Sequence, residues 1–307
     1  MSGRIGVRGV SEVTEAGELL ARAERRRLRL ASRGVEIALL DWGGAGPLAL
    51  LHHATGFCKG VWAPVAELLR PHFRVIAMDA RGHGDSSQPE GAAAYAWPEF
   101  GRDLAAVAEA LAAEHGPVAL GIGHSFGGTS LLLAGRSRPE GFQRLVLIDP
   151  VAPPPASLLP PGALDRPNSL AEGARRRRTE WASRFEARAR WSERPLLQSW
   201  LPVALDLYAL DGLRERADGS VTLKCPSAVE AAIFDQGRDV DMLALTERHP
   251  VPTLWIRAAR GNFPRDWCAT LAARMRAGQL LDLDVGHLVV MEQPELVARE
   301  ALRFALA

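Results

Sequence analysis

The chain has 307 residues, 47% hydrophobic and 24% charged, globular proportions that exclude a disordered, collagen-like or disulfide-scaffold protein. Its 37 basic and 36 acidic residues leave a formal net charge of +1, so nothing global favours nucleic acid or an anionic membrane as partner. No apolar run approaches the roughly 20 residues a bilayer needs, no leader-like apolar core follows the start, and three scattered cysteines, Cys58, Cys225 and Cys268, suit reduced thiols; a cytoplasmic location is expected.

In chain order, the stretch before Arg27 is an Arg-rich segment read as a tail or a dimer arm. Arg27-Leu28-Arg29-Leu30 alternates, Arg33-Gly34 punctuates, and Val35 to Trp42 resumes as a strand, which predicts a hairpin. Leu48 to His52 is a short apolar run followed by a glycine-containing loop and a helix-like segment with Val61, Trp62, Val65, Leu68 and Leu69. Phe73 to Met78 is the next strand. Pro98 opens a periodic helix with Phe100, Leu104, Val107, Ala108 and Leu111 on one side, stopped by Gly116 and Pro117. Val118 to Ile122 and Leu145 to Ile148 flank a leucine-rich helix. Buried strands alternating with helices imply an α/β fold, a mostly parallel twisted sheet with helices on both faces.

After Asp149 six prolines between Pro150 and Pro161 mark a linker, followed by helical stretches carrying Trp181, Phe185, Trp191, Trp200 and Tyr208. Alternation returns at Thr253 to Arg257 and Gln279 to Leu283, with a last helix after Pro294. The expected organisation is a core of residues 1–150 and 236–307 with residues 151–235 inserted as a helical lid. Arg175 to Arg178 is the one charge run; Glu172, Glu180 and Glu186 around it indicate a solvated helix face. Only Lys59 and Lys224 are lysines.

Gly123-His124-Ser125-Phe126-Gly127 fits G-x-S-x-G and lies where that signature has meaning, after a strand and before a helix. A serine on so sharp a turn needs small neighbours. Neither Cys-x-x-Cys nor His-Glu-x-x-His occurs, and Gly121-Ile122-Gly123 does not continue into G-x-G-x-x-G, so no metal and no dinucleotide cofactor is implied.

With these residues the chain resembles the α/β-hydrolase fold family. Asp79-Ala80-Arg81-Gly82-His83-Gly84-Asp85-Ser86 is similar to a loop of its lid-bearing members, His53-Ala54-Thr55-Gly56-Phe57 resembles the family's His-Gly-x oxyanion loop, and Val285-Gly286-His287 followed by Met291-Glu292-Gln293-Pro294-Glu295 resembles the loop bearing the family's histidine and the helix after it. The resemblance covers about residues 27–305 and is weakest across the lid. It implies a serine hydrolase in which His287 is the base for Ser125 and the N–H groups of Phe126 and Thr55 form the oxyanion hole, with Ala54 replacing the usual glycine. The acid has two locations in the family. Asn262 occupies the more common slot after the strand Thr253 to Arg257, so the acid is assigned to Asp149, at the end of the strand before the lid; Asp266 is the alternative, otherwise a helix N-cap. Cys58 is read as a packing residue.

The implied substrate is a small carboxylic ester or lactone, with Trp181, Trp191, Trp200 and Tyr208 either walling a pocket or forming core. A carbon–carbon bond hydrolase of the same fold and a non-catalytic small-molecule receptor remain open, as does a homodimer.

Overall fold

The computed structural model describes residues 12–159, 161–162, 165–237 and 240–307. The aliphatic runs become strands, in chain order β1 (Glu24–Leu30), β2 (Val35–Asp41), β3 (Leu48–His52), β4 (Arg74–Met78), β5 (Leu120–His124), β6 (Leu145–Ile148), β7 (Glu180–Trp181), β8 (Leu213–Glu215), β9 (Val221–Leu223), β10 (Thr253–Arg260) and β11 (Gly278–Gly286). Eight of them form one sheet in the order β1-β2-β4-β3-β5-β6-β10-β11. The opening β1–β2 hairpin and the β2–β4 pair are antiparallel and every other pair is parallel. All residues of β3, β5 and β6 are buried, as expected of central strands covered on both faces.

Helices connect them: α1 (Glu12–Ala21), α2 (Ala63–Leu69), α3 (Trp97–His115), α4 (Phe126–Ser137), α5 (Ser169–Arg176), α6 (Arg184–Ser192), α7 (Pro202–Asp211), α8 (Ser227–Gln236), α9 (Met242–Thr246), α10 (Arg265–Arg274), α11 (Val289–Glu292) and α12 (Pro294–Ala305). One core joins the sheet to α1, α2 and α12, and a second joins it to α3, α4 and α10. The expected α/β architecture with helices on both faces is therefore present.

Two expectations need correction. Residues 12–26 are not a free tail or arm: α1 buries Ala16 and Leu20 in the core, and Arg25 and Arg26 belong to β1; residues 1–11 lie outside the described residues. The stretch between β6 and β10 is not wholly helical, because β7, β9 and β8 form a three-stranded antiparallel sheet beside its helices. These strands of two or three residues are too short to show a period. Their hairpin turns at Gly219, with φ 82, where the Asp218 carboxylate accepts from the Ser220 N–H at 2.9 Å.

Candidate active site

β5 lies between β3 and β6, and the chain leaves its C-terminal end through Ser125 directly into α4. Ser125 has φ 54 and ψ −119, a conformation that side chains adopt only where their surroundings impose it. The neighbouring glycines allow the turn. A Cβ on Gly123 would lie 2.4 Å from the Gly127 carbonyl oxygen, and one on Gly128 would lie 2.9 Å from Pro150 Cβ. One on Gly127 would meet the carbonyl oxygens of His52 and His53 at 2.4 and 2.7 Å. That last approach seats the N-terminal turn of α4 against the loop after β3.

Asp149 follows β6 and also has positive φ, 40. It is buried, and its Oδ1 accepts from the Ala258 N–H of β10 at 3.1 Å. Gly261 passes so close that a Cβ there would meet Asp149 Oδ2 at 2.3 Å. His287 lies just beyond β11, and its carbonyl oxygen accepts from His124 Nε2 at 2.7 Å. Burial, and then the neighbouring His287, press the pKa of His124 down to about 3; it is a neutral donor fixing the histidine loop.

The structure brings three sequence-predicted residues together. His287 Nδ1 lies 2.6 Å from Asp149 Oδ2 and His287 Nε2 lies 3.1 Å from Ser125 Oγ. Beside an ionised Asp149 the ring proton belongs on Nδ1, which leaves the Nε2 lone pair facing the serine hydroxyl. The His287 side chain keeps 23% of its surface exposed, against 2% for Asp149. Asn262 and Asp266 are exposed and bonded to neither residue. Asp266 does not cap α10, whose N-cap is Pro264; it stands in the first turn.

Phe126 is the first residue of α4, where helix geometry provides no acceptor for the backbone N–H. Thr55 is buried in the loop after β3. Among the described residues, neither its N–H nor that of Phe126 finds a protein acceptor. Two neutral histidines hold that loop. His53 Nδ1 donates to the Ala54 carbonyl at 2.8 Å and its Nε2 accepts from the Ala80 N–H at 3.0 Å. His83 Nδ1 donates to Arg81 O at 3.1 Å and its Nε2 accepts from the Gly56 N–H at 3.0 Å. Acceptance requires an unprotonated nitrogen, and burial supplies that condition by lowering His53 well below the ordinary value and His83 to about 4.

Sequence reading missed two groups next to this loop. Lys59, almost fully buried, pairs with Asp79 at 2.6 Å, Asp85 at 3.1 Å and Asp211 at 3.2 Å. Lys224 also reaches Asp85, so both lysines of the chain serve one acidic cluster. Burial alone would lower the Lys59 pKa, but Asp79, Asp211 and Asp85 outweigh it and raise it. Arg177 is not on a solvated face, because α5 stops at Arg176 and Arg177 turns inward to Glu230 at 2.6 Å. Trp181, Trp191, Trp200 and Tyr208 are buried in the core beside Phe57. Cys58 is buried with a free thiol, which burial raises well above its ordinary pKa. Among the described residues no three His, Cys, Asp or Glu are grouped to hold a metal ion, and no helix is long and apolar enough to cross a membrane.

A mostly parallel sheet flanked by helices, with hydroxyl, imidazole and carboxylate meeting at its strand ends, is the architecture of α/β-type hydrolases. Residues 49–300 match the model of the alpha/beta hydrolase family, and the chain belongs to it. Over 106 residues, 34% of this chain and 36% of the relative, it is 34% identical to the 2-(acetamidomethylene)succinate hydrolase of Mesorhizobium japonicum. Over 123 residues it is 33% identical to a bifunctional esterase/perhydrolase of Acinetobacter calcoaceticus, covering 39% of this chain and 43% of that one. Both matches span less than half of the relative. The crystal structure of E-2-(acetamidomethylene)succinate hydrolase superposes with TM-score 0.79 at 22% identity, covering 93% of this chain and 100% of that one, a likeness of fold. Family and relatives together support hydrolytic chemistry.

Proposed function

We propose that this protein is a serine hydrolase that cleaves a carboxylic ester or lactone through an acyl-enzyme. The observation that carries this reading is the unbroken line from Ser125 Oγ to His287 Nε2 and from His287 Nδ1 to Asp149. A serine hydroxyl is a weak nucleophile until a base takes its proton. His287 accepts that proton as Oγ attacks the carbonyl carbon, and Asp149 holds the ring in the Nδ1–H tautomer and stabilises the imidazolium. Negative charge develops on the carbonyl oxygen, and the N–H groups of Phe126 and Thr55 receive it. His287 then gives its proton to the leaving alkoxide as the carbon–oxygen bond breaks. A water, deprotonated by His287, attacks the acyl carbon, and collapse of that second intermediate releases the acid and restores Ser125. Residues 151–235 act as the lid whose shape selects the substrate, as in the lid-bearing relatives that the sequence resembles.

The test is turnover of p-nitrophenyl acyl esters and a lactone series, with active-site labelling by a fluorophosphonate. Wild type is expected to turn over an ester or lactone and to take the label. Ser125→Ala should lose about 10⁴-fold or more of kcat and all labelling. Cleavage of a 1,3-diketone without ester turnover would replace this reading with carbon–carbon hydrolysis. A silent, unlabelled wild type would leave a binding protein.

A further inference from the structure

One helix of the segment between β6 and β10 grips both ends of the loop that carries Thr55. From α7, the Tyr208 hydroxyl donates to the Gly56 carbonyl oxygen at 2.9 Å. One turn later, Asp211 Oδ2 accepts from the Gly60 N–H at 3.1 Å and from Lys59 Nζ at 3.2 Å. The approach is close at both ends, from α7 at Gly60 and from Glu230 of α8 at Gly56. A Cβ on Gly60 would meet Asp211 Cβ at 2.6 Å, and one on Gly56, whose φ is 81, would meet Glu230 Oε1 at 2.5 Å.

The direction of the Tyr208 hydrogen bond is dictated by its surroundings. Arg177 has only donors, and one of them reaches Tyr208 Oη at 3.2 Å while another is held by Glu230 at 2.6 Å. The phenol oxygen therefore accepts from Arg177, and its single proton is left for Gly56. The opposite side of the same residue is held by the core, where the Gly56 N–H donates to His83 Nε2. Gly56 is thus fastened through its N–H by the sheet domain and through its C=O by α7, immediately after the Thr55 donor.

Granted the serine-hydrolase reading above, we infer that Tyr208 is a positioning residue: its hydroxyl, oriented by Arg177 and Glu230, fixes the Gly56 peptide and so aims the Thr55 N–H at the developing oxyanion. The segment carrying α7 is then part of the catalytic framework as well as a cover over the substrate. Without the hydroxyl, the peptide regains freedom that the transition state feels more than the bound substrate does, because the oxyanion contact strengthens only as charge develops.

The experiment compares wild type, Tyr208→Phe and Ser125→Ala on a p-nitrophenyl ester, with inhibition by a trifluoromethyl ketone, whose free carbonyl carbon is attacked by Ser125 Oγ to give a hemiketal alkoxide in the oxyanion hole. The phenylalanine ring retains the stacking on Trp191, whose ring centroid lies 4.5 Å away. Tyr208→Phe is expected to lower kcat about tenfold, the worth of one lost hydrogen bond to a positioned group, with KM within twofold. Its trifluoromethyl ketone Ki should weaken by the same factor as kcat. Unchanged kcat and Ki in Tyr208→Phe, with turnover lost in Ser125→Ala, overturn the positioning role and leave the hydrolase reading standing. Full turnover in Ser125→Ala overturns both. Should Tyr208→Phe fail to fold, the Arg177→Met/Glu230→Gln double variant decides. It frees the hydroxyl to rotate and is expected to weaken kcat and Ki together, whereas wild-type values for both overturn the inference.

Discussion

Asp149 holds a backbone conformation that few residues other than glycine adopt, φ 40, and two bonds justify its cost. One oxygen takes the Ala258 N–H and the other takes His287 Nδ1. Asp266, by contrast, is an exposed first-turn residue of α10, where a carboxylate complements the positive helix end. The roles proposed here separate in one measurement. Asp149→Asn presents the imidazole with the wrong partner and is expected to lower kcat by about 10³–10⁴-fold, while Asp266→Asn stays within twofold; loss of turnover in the second variant with retention in the first would transfer the acid's role. Sequence reading placed Ser125, His287 and Asp149 in one site because each sits in a local pattern: a small-residue turn, a Gly-His loop, a strand end. Lys59, Arg177 and Tyr208 escaped it for a physical reason. Lys59 lies 20, 26 and 152 residues from its three carboxylates, and Arg177 lies 53 and 31 residues from Glu230 and Tyr208. No short-range pattern records such pairings; only the fold creates them.

At the level of elements, the strands around the site are set by close approach, and glycine marks where. The loop that follows β10 passes Asp149 at Gly261, which leaves no room for a Cβ. Gly261→Ala is therefore expected to displace the carboxylate from His287 and lower kcat/KM about a hundredfold, the price of misplacing a reacting group by about 1 Å. Gly173, inside α5, meets nothing within 4 Å; Gly173→Ala should leave kcat/KM unchanged and raise the unfolding midpoint slightly, since alanine is the better helix former by up to about 1 kcal/mol. Equal losses in the two variants would mean that the contact at Asp149 has no special weight. The sheet is legible because its central strands are short, mostly apolar buried runs and its opening hairpin carries the alternation Arg27 to Leu30 before Gly34. Boundaries drifted where the signal is weakest: the strand read as Val118 to Ile122 is Leu120–His124, and Val118 makes only an isolated bridge to Phe142. The charge run Arg175 to Arg178, expected as one solvated helix face, leaves α5 after Arg176, and Arg177 turns inward where helical periodicity points it outward.

Taken whole, the molecule surrounds its site with groups whose charge states are imposed by burial, and this makes its stability depend on pH in a calculable direction. Burial lowers His52 and His83 to about 4, His124 to about 3 and His53 further below the ordinary value than a partner raises it. An unfolded chain holds these same histidines near 6.5. Above about pH 8 these histidines are neutral in both states and their contribution to stability is flat. As pH falls through 6.5 the unfolded chain binds protons that the folded one refuses, so stability drops. The drop continues until each folded histidine titrates in turn, at about 4 for His52 and His83. His249, also lowered by burial, adds to this side. Asp79 opposes it, because burial raises its carboxyl, and Asp85 takes little part above pH 4 because Lys59 and Lys224 overcome its burial and hold it at about 2. The balance predicts a urea midpoint that is level above about pH 8, begins to fall by pH 7 and falls more steeply towards pH 5, where the slope corresponds to an uptake of roughly four protons on unfolding. His83→Gln keeps an acceptor for the Gly56 N–H and removes one titrating ring, so its slope should be shallower by about one proton. A midpoint that stays level to pH 5 would mean that these histidines are protonated in the folded protein, and the loop after β3 would then lose the two ring acceptors that hold it.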